Sequence, residues 1–183
     1  STIGRYWLAD VMYAAGYRAT RASDYAKSYE SVRRAILLNE KEPVYYDELS
    51  FPTAQLAVSY ANDGQSTASG QLVNEAILAS DKAVGISPQN VNFWKTRTRV
   101  FYTLYQIDEK FLEKAKEALE VAKQLSPTDP KIFYNLALLE DKFDKKDVAI
   151  TLLEQAGKLK ADYRDAYFAL GLFYRRDKKI EKA

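Results

Sequence analysis

The sequence predicts an all-α fold in which pairs of antiparallel helices stack into a right-handed superhelix. Three observations carry this expectation. Apolar residues recur at helical spacing along most of the chain, and no segment has the period-two alternation of a half-buried strand. The last third, from Pro130 to Ala183, also copies itself. Phe133, Leu136, Ala137 and Ala149 are matched 34 residues later by Tyr167, Leu170, Gly171 and Ala183, with Ala156 as a second small residue behind Ala149. Small residues belong where two helices cross, because only Gly or Ala lets backbones approach closely. The aromatic ring and the Leu fill the space that is left.

A 34-residue period with a large aromatic, then Leu-Gly/Ala, then two Ala seven apart resembles the tetratricopeptide (TPR) repeat. The likeness is best in Asp165-Ala-Tyr-Phe-Ala-Leu-Gly-Leu-Phe-Tyr174. It implies a single domain, 1–183, of about four helix pairs plus one terminal helix. The units fall near 3–40, 43–85, 88–127 and 129–161, with a truncated 163–183. Such units cannot bury their apolar faces alone, and stacking them makes one α-α solenoid with a concave side.

Taken in order, residues 3–20 place Tyr6, Ala9, Tyr13 and Gly16/Tyr17 at helical spacing, and the stripe Tyr6, Tyr13, Tyr17 reads as packing between helices. A partner helix from about Ser23 to Leu38 carries Ser28, Val32 and Ala35 in small–large–small slots and stops before Pro43. Val44 to Ala61 forms the next helix, with Tyr46, Leu49, Leu56 and Tyr60 on one face. Pro52 inside it is expected to kink or break it. Asn62-Asp63-Gly64 is a helix stop. The partner, about Ala68 to Val84, has Leu72, Ala76, Ala79 and Ala83 inward and Gly85 as C-cap. Ser87-Pro88 reads as N-cap and first turn of a helix through Trp94, Phe101, Leu104 and Tyr105 to about Ile107. Its partner, about Glu109 to Leu125, presents Ala115, Leu119 and Ala122 before Pro127. Asp129 then caps a helix opened by Pro130, and Asp144 is expected to cap the one carrying Ala149 and Ala156.

Composition narrows the function. Apolar residues make up 47% of the 183, so there is ample material for a core. The 27 basic and 25 acidic residues nearly cancel, to +2, which argues against a dedicated nucleic-acid binder. There is no Cys and no His. That removes thiol chemistry, the commonest general base and the commonest transition-metal ligand, and it favours a protein that is not an enzyme and needs no cofactor or metal. No apolar run is long enough to cross a bilayer. The sequence begins without Met and stops where a second helix should start. It therefore reads as part of a longer protein, with Leu170, Phe173 and Tyr174 left without a covering helix and open to fraying or end-to-end self-association.

The first half carries a narrower pattern. Arg5-Tyr-Trp-Leu-Ala-Asp-Val-Met-Tyr-Ala-Ala-Gly16 is followed by Asp24-Tyr25, Ala35-Ile-Leu-Leu-Asn39 and Glu42-Pro-Val-Tyr-Tyr-Asp-Glu-Leu49. This resembles the soluble C-terminal region of bacterial O-antigen ligase/polymerase-like membrane proteins, across about residues 5–60. Glu40 stands where that family more often has Pro. The resemblance implies an extracytoplasmic module of a cell-envelope protein, tied to a membrane only through an upstream segment, that positions a partner or a glycan. Without it, the expected location is cytoplasmic.

The TPR resemblance further implies that the first helix of each pair lines the groove. Carrying the register over gives Asn92, Lys95, Arg99 and Tyr102 in the third unit. The fourth gives Lys131, Tyr134, Leu138 and Lys142, and the last gives Asp165, Phe168, Leu172 and Arg175. Cations with aromatics between them suit an extended protein or peptide segment of acidic character. A carboxylate clamp for a chain terminus does not fit. Lys95 and Asn135 match it, but Arg99, Asp165 and Ala169 depart, one of them with reversed charge. The acids Asp108-Glu109, Glu140-Asp141 and Asp144/Asp147 read as helix-end residues.

Overall fold

The computed structural model describes residues 2–176. Among these there are nine α-helices and no strand: α1 (Thr2–Arg21), α2 (Tyr25–Leu38), α3 (Pro43–Asn62), α4 (Ser66–Ile86), α5 (Val91–Leu104), α6 (Phe111–Leu125), α7 (Pro130–Lys142), α8 (Lys146–Leu159) and α9 (Arg164–Arg176). The all-α expectation holds. Contacts divide the chain into two compact units, one reaching to Ala115 and the other starting at Lys116, so that the division falls inside α6. In the first unit α1 packs on α2 and α3 on α4, while the leading helices α1, α3 and α5 touch in succession. In the second, α7 packs on α8 and α8 on α9.

Leading helices α1, α3 and α7 close in one way. Ser23 (φ 60°), Gly64 (φ 75°) and Asp144 (φ 59°) adopt the left-handed conformation. The next amide then donates far back, from Asp24 to the Ala19 carbonyl (2.9 Å), Gln65 to Tyr60 (2.8 Å) and Lys145 to Glu140 (2.9 Å). This satisfies carbonyls that the helix end leaves open and turns the chain into its partner. The stop at Asn62-Asp63-Gly64 is therefore present. Asp144 serves this turn instead of capping α8, whose N-cap is Lys145 without a side-chain bond. The turn needs a left-handed residue, and Asp is among the few non-glycine residues that tolerate it.

Three further boundaries differ from expectation. Gly85 lies inside α4, and Ser87 is the C-cap of that helix. Pro88 sits in the following turn, where its carbonyl accepts the Trp94 indole N–H at 2.8 Å. The chain enters α5 only at Asn90, whose side-chain oxygen accepts the Asn92 amide at 3.1 Å, and leaves it at Leu104, short of Ile107. Pro52 does not break α3. The Ser50 hydroxyl donates to the Asp47 carbonyl (2.6 Å) and that of Thr53 to Leu49 (2.7 Å), on either side of the Glu48 carbonyl that proline leaves without its amide.

The core follows the small-residue slots. Ala9, Val32, Ala35, Tyr45, Leu49 and Ala79 form one cluster in the first unit. In α3 the buried tyrosine is Tyr45, whereas Tyr46 and Leu56 are half-buried and Tyr60 is exposed. That helix touches α1, α2, α4 and α5, so it is buried on several sides and no single stripe describes it. Of the α1 tyrosines only Tyr13 packs inward, stacked on Tyr45 at 5.2 Å, while Tyr6 and Tyr17 are exposed. In the second unit Leu170 (8% exposed) and Phe173 (5%) lie buried in a cluster with Leu153, Ala156 and Ala166, which corrects the expectation that they lack cover. Tyr174 is half-buried and donates to Glu154 at 2.9 Å.

Two substitutions test these contacts. A Cβ at Gly16 would lie 2.3 Å from Val32 Cγ2 and 3.3 Å from the Ser28 carbonyl oxygen. Val32 is fully buried and β-branched, so it cannot turn aside. Alanine would raise helix propensity by about 1 kcal/mol, but overpacking costs about 1–3 kcal/mol, and so short a contact belongs at the upper end. Gly16→Ala is expected to lower the unfolding free energy by about 1–2 kcal/mol in urea titration; a gain would mean that α1 and α2 are not held this close. Asp144→Gly should instead raise it by about 1 kcal/mol by relieving the left-handed strain, and a loss would restore Asp144 as a cap.

Candidate functional site

The leading helices bring two groups of side chains together, one in each unit. In the second unit α7 and α9 border a cleft of about 590 Å³. Tyr134 and Leu138 of α7 and Phe168, Leu172 and Arg175 of α9 line it, five of the eight residues expected there, together with Asp141, Ala169, Phe173 and Arg176. Lys131, Lys142 and Asp165 are exposed but outside the lining. The positions four apart on one helix lie one turn above each other, so Tyr134–Leu138 and Phe168–Leu172 present parallel apolar edges. Arg176 bonds Asp141 across the cleft and cancels the one acid in its wall. Burial raises the Tyr163 pKa, with Asp165 adding to it.

In the first unit Asn92, Arg99 and Tyr102 are exposed on one face of α5, and Lys95 is half-buried there. Arg99 lies over the Phe51 ring at 3.9 Å, and Thr96 donates to Asp47 at 3.2 Å. The α5 face therefore meets an acidic pair on α3 that the register did not include. Glu48 accepts from Thr20 at 2.5 Å, and the Ser28 hydroxyl lies 2.7 Å from Thr20 in turn. Tyr13 and Tyr17 stand alongside, with Arg21 over the Tyr17 ring at 5.4 Å. Asp47 and Phe51 are four apart, as are Tyr13 and Tyr17. Extending the leading-helix register back to α1 and α3 would have found them.

Electrostatics mark this pair. Burial pushes the Asp47 carboxyl up to about 7; the Thr96 bond pulls it down, Glu48 pushes it further up and Arg99 opposes. Burial also raises Glu48, against Thr20, Arg99 and Arg21. Tyr13 is pushed up to about 12, first by burial and then by the Glu48 and Asp47 charges. Tyr45 is raised by burial and by its bond to Asp10. Among the described residues no group of acids has a metal-holding arrangement.

A second cleft, about 610 Å³, lies between α2 and α4 over α3. Tyr29 donates to Glu75 (2.7 Å), and Arg33 donates to the Tyr29 oxygen (2.9 Å) while pairing with Glu75 (3.5 Å). Other acids prove structural. Asp108 takes the Lys110 amide at 3.0 Å, as a helix-end acid should. Glu140 and Asp141, by contrast, lie at the C-terminal end of α7, the wrong end for the dipole, and are held by Lys116 (2.9 Å) and Arg176.

Asp47 gives a signed pH dependence. Its folded pKa lies above that of the unfolded chain, 3.8, so its contribution is full below about 4 and is lost as pH rises toward about 7. Asp47→Asn is expected to flatten the decline in melting temperature across that window. An unchanged decline would place the titrating group elsewhere.

No family model matches the chain, and no curated protein matches it in sequence. Solved structures do. TTC0263, a thermophilic TPR protein of Thermus thermophilus, superposes with a TM-score of 0.68 at 19% identity, over 92% of this chain and 82% of that one. MamA of Desulfovibrio magneticus RS-1 gives 0.64 at 18%, over 95% and 88%. The pilF product of Pseudomonas aeruginosa gives 0.65 at 16%, over 96% and 72%. The resemblance of residues 5–60 to O-antigen ligase-like proteins gains no support from a family model or a curated sequence. Its motif residues build the α1–α3 contact, with Ala9 and Leu49 buried and the Tyr45 hydroxyl donating to Asp10. By structure, the chain has the fold of TPR proteins.

Proposed function

We propose that the chain is a non-catalytic scaffold that holds a protein segment in the α7–α9 cleft. The supporting observation is that cleft itself. A scattered exposed Leu or Phe is ordinary on a protein surface. Here Phe168 (71% exposed), Leu172, Leu138 and Tyr134 are contiguous around one depression, which is the pattern of an interaction site. With Asp141 occupied by Arg176, Arg175 is the cation left in the wall of the cleft. An apolar segment flanked by acids meets both features. The α5 face is less selective for acids, because Asp47 and Glu48 offset Arg99.

A second reading, an extracytoplasmic module of an O-antigen ligase-like envelope protein, is favoured by the first unit. Tyrosines beside Asp47 and Glu48 are chemistry that stacks on sugar rings and accepts from their hydroxyls. The sequence encoded upstream of Ser1 would bear on it directly.

Peptide display and a glycan array, run in parallel on the whole chain, separate the two. The scaffold reading expects enriched peptides with an aromatic or aliphatic anchor and neighbouring acids. Phe168→Ala and Arg175→Glu should each weaken them about tenfold or more. Peptides indifferent to both changes, or glycan binding abolished by Tyr17→Ala with no peptide enriched, would overturn it.

A further inference from the structure

Among the described residues no helix packs on the outward face of α1. Ala9 and Gly16 turn toward the core, and on the opposite side of the helix lie Ile3 (82% exposed), Trp7 (66%), Val11, Ala14 and Arg18. Trp7 is the larger of the two exposed apolar side chains in this row, and its neighbours along it are apolar for three helical turns. The Arg18 guanidinium has no partner among the described residues. Asp10, at the edge of the face, bonds the Tyr45 hydroxyl through one carboxylate oxygen.

The charges on this face are arranged by half. Asp10 stands in the N-terminal half, and Arg18 and Arg21 in the C-terminal half. A parallel copy would set like against like. A copy rotated about a two-fold axis between Val11 and Ala14 sets unlike against unlike. Arg18 of one molecule then falls opposite Trp7 of the other and one turn from its Asp10, and the same contact forms again on the far side of the axis. An isologous interface requires this self-complementarity, residue i meeting j while j meets i. The guanidinium would lie on the indole face and reach the open carboxylate oxygen, while Val11 and Ala14 pack at the axis. A bilayer surface would cover Trp7 and Ile3 but leave Asp10 in an unfavourable place.

We propose that the α1 face binds a second copy of this chain, as an antiparallel two-fold dimer closed by Trp7, Arg18 and Asp10. One helix face is a small interface, so the dimer is weak and depends on concentration.

Sedimentation equilibrium on the full chain tests it. The wild type should show a monomer–dimer equilibrium, and Trp7→Ala and Arg18→Asp should each raise its dissociation constant about tenfold or more, with helical circular dichroism unchanged. The decisive arm mixes Arg18→Asp with Asp10→Arg. Each alone sets like charges together and should be monomeric, whereas the mixture restores both pairs and should give a heterodimer. A wild type that stays monomeric at millimolar concentration, a dimer untouched by either substitution, or a mixture that fails to associate overturns the proposal. So does Trp7-dependent binding to anionic vesicles by a chain that never dimerises.

Discussion

Two helices can be brought into close contact only where the residues between them lack bulk, and the packing of this chain depends on where it keeps such residues. Gly16 receives Val32 so closely that no Cβ fits. A Cβ at Gly157 would lie 3.1 Å from the Tyr167 ring. Ala9, Ala35, Ala137, Ala149, Ala156 and Ala166 are fully buried. Large side chains then fill the gaps, as Leu153 does among Ala137, Ala149, Ala156 and Ala166. Once the crossings are fixed, the leading helices within each unit present residues four apart in register. The α7–α9 cleft follows directly: it is the space between two such rows.

Close packing also decides the fate of acids. Glu140 is nearly buried, with one oxygen on Lys116 at 2.9 Å and the other without a hydrogen bond, so the pair fixes α7 at the cost of an incompletely satisfied carboxylate. Removing Lys116 would leave that charge only the distant Lys145, 3.9 Å from its other oxygen, which is worse than replacing both Glu140 and Lys116. Asp47 solves the same problem differently. Burial raises its carboxyl and the adjacent Glu48 adds to this, while the Thr96 hydroxyl and Arg99 oppose it only in part, so it holds its proton to near neutral pH.

Helix number, type and most of the core could be read from the residues because small residues at a fixed period allow few alternatives. Ser28, Val32 and Ala35 are fully buried as their slots require. The departures share a physical cause. Asp144, Gly85 and Ser87-Pro88 are residues with two uses, capping one helix or closing another, and only the path of the chain chooses between them. The inner face of α3 lies one position from the expected one because a helix enclosed by four neighbours has no polar side to orient it. Around the α7–α9 cleft five of the eight register positions come together, since the repeat there keeps its 34-residue spacing from Pro130 to Arg164, where the two helices begin. Asp47 and Glu48 escape because the register covers three leading helices and not the first two.

Along α9 the core residues Ala166 and Leu170 alternate with the cleft residues Phe168, Leu172 and Arg175, while the buried Ala169 and Phe173 also form the floor of the cleft. Phe168, Leu172 and Arg175 are out of phase with the core, so at these three positions the surface can change its chemistry without disturbing the crossing beneath. In α3 this separation fails at one point. Asp47 is oriented toward the α5 face yet buried enough to titrate near neutrality, so it belongs to both sets. A cationic group docking beside it would favour the ionised carboxylate and release a proton, whereas an anionic one would hold the proton in place. Binding on that face would therefore be linked to pH and to stability together.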